Sequence, residues 1–109
     1  MKTAVGLSVF LMAFSLNSRA QEIDYDKRNT HIFCSSHLAV ISESFDEKGK
    51  EYQALAYLSN MHRDEGRKLG ATKKHFEDVA GYLKQVRNNS KQKWERLSVQ
   101  SKKVCLPNS

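Results

Sequence analysis

Apolar residues in this chain recur at steps of three and four, and nowhere alternate over a run of strand length. The first spacing puts side chains on one face of a helix; alternation is what lines a sheet. Cys34, Leu38, Ile41 and Phe45 follow at steps of four, three and four, so the cysteine belongs to a core stripe. Tyr52, Leu55, Ala56, Ser59, His62, Gly66 and Leu69 share one face of a second segment, residues 50–69, and its small members admit a close neighbour. Phe76, Val79, Ala80, Leu83 and Val86 mark the buried face of a third. The same phase then runs on through Ser90, Trp94, Leu97, Ser101 and Val104.

Capping and turn residues punctuate this pattern. The polar stretch "QEIDYDKRN" at 21–29 reads as a tail, with Asn29 or Thr30 capping the first helix, which should end near Asp46 to Gly49. Gly70 follows Leu69, where a left-handed residue closes a helix, and Arg67 and Lys68 suit the negative end of the helix dipole. Thr72 is placed to cap the third helix. At 87–90 stands "RNNS", and asparagine favours turns and caps over helix interiors. The unbroken apolar phase allows one long helix there; the asparagines allow two short ones. "NNS" also matches the N-glycosylation acceptor pattern.

The N-terminus changes the picture. Lys2 precedes an apolar run from Ala4 to Leu16, and small residues Ser18 and Ala20 occupy the positions a signal peptidase reads. Residues 1–20 are therefore expected to be a secretory signal peptide cleaved after Ala20, placing the rest in the periplasm or outside the cell. The run is short for a membrane span, which needs about 20 apolar residues, and no second such segment follows. The remaining 89 residues suffice for one small domain with a limited core. Its two cysteines, Cys34 and Cys105, would sit where disulfides persist, so they are expected to pair.

That bridge bears on topology. A helix running unbroken from 73 to Cys105 would carry Cys105 far from Cys34, because each helical residue rises about 1.5 Å, and a disulfide needs Cα atoms within about 7 Å. A reversal near Asn88 to Ser90 brings Cys105 back. The expectation is an all-α, up-down bundle of four short helices closed by one disulfide, with three helices and a long last one as the alternative. The expected helical domain spans 30–106, followed by a tail at 107–109.

Charge is unevenly spread. The chain carries +6, and without the expected signal peptide +4. Residues 84–109 contain Lys84, Arg87, Lys91, Lys93, Arg96, Lys102 and Lys103 against Glu95 alone. These seven cations are the candidate contact for an anionic partner, either a protein or an envelope surface. Nucleic acid does not fit, because export separates the chain from it and no recognition motif or interleaved aromatic accompanies the charges.

Candidate chemistry is sparse. "HIFCSSH" places His31, Cys34 and His37 three residues apart, with no pair at the i, i+4 spacing that best converges on one ion. His31, His37 and His62 remain the metal candidates, and Met61 with His62 the haem candidates, although the C-x-x-C-H attachment motif is missing. There is no G-x-S-x-G elbow and no phosphate-binding glycine loop. The carboxylate pairs Asp64-Glu65 and Glu77-Asp78 are adjacent and diverge on a helix. The chain is expected not to be an enzyme and to use no cofactor.

Cys34 near the start of the first helix, the "EYQALAYLSNMH" helix, the "NNS" break and the "KKVC" ending resemble a type of small exported bacterial helical protein with a Cys…Cys pair near its ends. The resemblance implies the fold and the compartment, and no activity. The leading expectation is thus an exported, non-catalytic module that binds another macromolecule in the cell envelope. The alternatives are a periplasmic metal- or haem-binding bundle and an envelope-stress or inhibitor protein that contacts an anionic surface.

Overall fold

A computed structural model describes residues 23–107; the expected signal peptide and the last two residues lie outside them. The described residues form four α-helices and no strand: α1, Tyr25–Ser42; α2, Lys50–Lys68; α3, Lys73–Asn89; and α4, Lys91–Cys105. Packing partners give the directions. His31 and Ser35 of α1 meet His62 and Ser59 of α2, so these two helices are antiparallel. Ser36 and Val40 meet Phe76 and Arg87, so α3 runs parallel to α1. His37 meets Ser98 while Cys34 meets Cys105, so α4 runs back again. The bundle is up-down-up-down, as the disulfide argument required.

Ser90 is the pivot. Its backbone is extended (φ −148°, ψ 93°), its N–H ends α3 by bonding the Val86 carbonyl, and its Oγ accepts the Lys93 N–H to start α4. One residue therefore caps two helices, and the alternative of a single long helix does not hold.

Two expectations about α1 need correction. The stretch 25–29 is helix and not tail, because Asp24 caps it by accepting the Lys27 N–H at 3.0 Å. The first turn faces solvent, so its residues carry no apolar signal. The helix also stops earlier than expected, at Ser42, and Phe45 lies beyond it, 42% exposed. Consequently Cys34 sits in the middle of α1 rather than near its start, and the bridge fastens the end of α4 to that point.

α1 is the hub of the fold. The other three helices pack on it, while α2 and α3 hardly touch each other. Every residue from Cys34 to Leu38 is buried, including Ser35, Ser36 and His37. A stretch packed by three neighbouring helices shows no clear solvent stripe, which is why "CSSHL" reads poorly as an amphipathic pattern. The serines allow close approach and satisfy their own polarity. Ser59 Oγ donates to the Ser35 carbonyl at 2.7 Å, and Ser36 Oγ donates to the Phe76 carbonyl at 3.3 Å.

The α2–α3 turn follows the sequence closely. Gly70 adopts φ +96°, its N–H bonds the Arg67 carbonyl, and the Ala71 N–H reaches back to Gly66. This pair of bonds is a Schellman closure, with Ala71 packing back toward Gly66. Thr72 then caps α3 and His75 reciprocates onto the Thr72 N–H at 2.9 Å. Cys34, Leu38 and Cys105 form one part of the core with Leu55, Leu58 and Leu106 against them; Ile32, Ala71 and Phe76 form another.

Candidate functional site

The disulfide pairs Cys34 with Cys105 at a Cα separation of 5.3 Å. With its sulfur bonded, Cys34 is no metal ligand, and the flanking histidines take separate paths.

His37 is 0% exposed, held between Phe33 and Trp94 with ring centroids 5.3 and 4.8 Å away. Its Nε2 meets Ser98 Oγ at 3.4 Å, and its Nδ1 has no partner. Placing the one proton of the neutral ring on Nε2 leaves only a lone pair bare. Burial penalises the imidazolium and lowers the pKa to about 4.

His31 and His62 come together across α1 and α2, with Nδ1 to Nδ1 at 3.0 Å. His62 Nε2 lies 2.8 Å from the Cys105 carbonyl, which can only accept, so that nitrogen carries the proton. With that proton on Nε2, the His62 Nδ1 lone pair is placed to accept from His31 Nδ1–H, giving a chain from α1 through α2 to the end of α4. His31 is pushed below its ordinary value by desolvation and then by His62, with Glu65 acting in the opposite sense. Of the three metal candidates, two meet and the third stands apart. Among the described residues no three His, Cys, Asp or Glu side chains converge as a metal-binding group. Met61 is exposed while His62 is buried, so these two do not converge.

The seven C-terminal cations also divide. Lys84 and Arg87 both reach Glu43, at 3.2 and 3.4 Å, and Arg87 also bonds the Val40 carbonyl. They fasten the end of α3 to the end of α1. Lys91, Lys93, Arg96, Lys102 and Lys103 are exposed on α4. At 100° per residue they spread over the whole solvent half of that helix, so they do not converge on a small ligand. Lys93 lies over the Tyr82 ring at 5.2 Å.

Convergent charge occurs elsewhere. Because α2 and α3 splay from the Gly70 turn, they leave a groove of about 290 Å³ over α1. Its floor is Ser35, Ser36, Ala39, Phe76 and Ala80; its rim is Arg63 and Arg67 on α2 and Lys73 and Glu77 on α3. Small floor residues on the hub helix give the groove its depth. Lys73 pairs loosely with Glu77 at 3.7 Å. Arg63 lies over the Phe76 ring at 5.7 Å, and neither it nor Arg67 pairs with a carboxylate among the described residues. Arg63 and Arg67 stand four apart on α2, a pair visible in the sequence; Lys73 joins them only through the α2–α3 turn.

No described helix is long and apolar enough to cross a membrane. Comparison with known proteins finds no matching family model, no matching curated protein and no matching solved structure.

Proposed function

We propose that this is an exported, non-catalytic helical module that acts in the cell envelope by binding a partner with anionic groups, through the groove between α2 and α3. One observation carries the reading. Three cations from two helices converge over a concave, partly apolar floor, with a single carboxylate among them. Concave sites with an apolar lining and a few convergent polar groups are where ligands bind, and guanidinium forks match carboxylate and phosphate geometry. The expected signal peptide and the disulfide support the compartment. The test is capture from the exported fraction on the immobilised, disulfide-bonded protein at low and physiological salt. A partner released as salt rises supports the reading; no partner at either salt counts against it.

A metal or haem carrier is the second reading, and the 3.0 Å approach of His31 and His62 favours it. Two imidazoles fall short of the three or four protein ligands usual for zinc. Elemental analysis and a visible spectrum of protein purified from its own compartment discriminate the two readings.

A further inference from the structure

Resting on the groove as the binding site, we infer its ligand class: a small anionic amphiphile, with a carboxylate or phosphate head and a short apolar body. Three features of the groove select this chemistry.

The first is charge. Arg63 and Arg67 occupy one wall and Lys73 the other, so an anion between them meets cations from both sides. Glu77 is already engaged by Lys73. Binding an anion therefore requires no internal carboxylate to be displaced from either arginine.

The second is the floor. Ala39, Phe76 and Ala80 offer an apolar surface beside the cations, and the polar groups nearby are already satisfied. Ser36 Oγ donates to the Phe76 carbonyl, and Ser35 Oγ meets Ser59 Oγ at 3.4 Å. Both serine hydroxyl protons are thus already donated, so the floor offers a ligand body no free donor, and the carbons of Ala39, Phe76 and Ala80 suit a hydrocarbon body. The charged head and the apolar body thus have separate, adjoining places.

The third is size. At about 290 Å³ the groove lies at the small end of the range for small-molecule sites. Taking about 30 Å³ per water-sized unit, it holds about ten non-hydrogen atoms. That suits a short-chain amphiphile, and an anionic group at the edge of a larger partner also reaches the rim.

The experiment is calorimetric titration of the full disulfide-bonded chain with octanoate, octyl phosphate, octanol and inorganic phosphate. NMR shift mapping on Ser35, Ser36, Ala39 and Phe76 reports the location. The expected result is binding of octanoate and octyl phosphate at the groove, with octanol and inorganic phosphate each weaker by about tenfold or more. The relative strength of the two acids tells a carboxylate source from a phosphate one. Arg63→Gln with Arg67→Gln removes the affinity for both acids. Ala80→Leu, which fills the floor from a half-buried helical position, removes it while leaving the rim charges in place. Unchanged helical circular dichroism in both variants rules out unfolding. Equal binding of octanol, equal binding of inorganic phosphate, no binding of either acid, or retained affinity in either variant overturns the assignment. If the acids fail but an anionic macromolecule is still captured in a salt-dependent way, the ligand class falls and the binding function stands.

Discussion

His37 gives a pH dependence whose sign and size follow from its surroundings. The ring is fully buried between Phe33 and Trp94, and burial alone holds its pKa at about 4 against an ordinary 6.5. In the unfolded chain the same ring is solvated and takes up a proton as pH falls through about 6.5. Between these two values the unfolded state binds more protons than the native state, so stability drops as pH falls across the window. The drop starts near pH 6.5 and flattens below about pH 4, where both states are protonated. Integrated from neutral pH, the loss is about 2 kcal/mol at pH 5 and about 3 kcal/mol at pH 4. With a urea slope near 1 kcal/mol/M for so small a domain, the pH 5 midpoint should fall by about 2 M. The comparison is urea unfolding of wild type and His37→Leu at pH 7 and pH 5. Leucine keeps an apolar side chain between the two rings and removes both the titration and the bare Nδ1. His31 contributes in the same direction in both proteins, so the difference between them isolates His37. A wild type whose midpoint moves no more than that of His37→Leu between the two pH values would refute the placement of a neutral, fully buried imidazole.

Other expectations follow from single contacts. Replacing Cys34 and Cys105 together by alanine removes a staple joining residues 71 apart, and urea unfolding should show a loss of about 4 kcal/mol, with α4 the first helix to lose amide-exchange protection. A Cβ at Gly81 meets nothing within 4 Å, so Gly81→Ala should raise stability by about 1 kcal/mol in the same assay. Gly66 is the opposite case: a Cβ there lies 3.3 Å from Phe76 Cζ and 3.4 Å from His31 Cβ, so Gly66→Leu should cost about 1–3 kcal/mol by overpacking.

What could be read in advance was whatever is encoded locally. The Gly70 closure, the Thr72 cap and the break at "RNNS" depend on one or two residues each, and the structure has all three. The cysteine pair settled the return of α4, because two thiols in one small domain leave one bridge. What stayed hidden depends on neighbours distant in sequence. Asp24 caps a helical turn that faces water and so shows no apolar period. Ser35, Ser36 and His37 are buried because three helices surround α1, and a pattern search over α1 alone takes them for a polar face. The basic C-terminal quarter drew notice by its composition, yet Lys84 and Arg87 engage Glu43 and the others spread around α4. The groove cations are fewer and come from two helices, so only the turn that joins those helices brings them together.

The two basic surfaces make competing claims, and one comparison separates them. The partner captured by the wild type from the exported fraction is measured against Arg63→Glu/Arg67→Glu in the groove and against Lys91→Glu/Lys93→Glu/Arg96→Glu on α4, with helical content checked in each. Recognition at the groove predicts that the first variant loses the partner and the second keeps it. A partner retained by the groove variant and lost by the α4 variant would contradict the account.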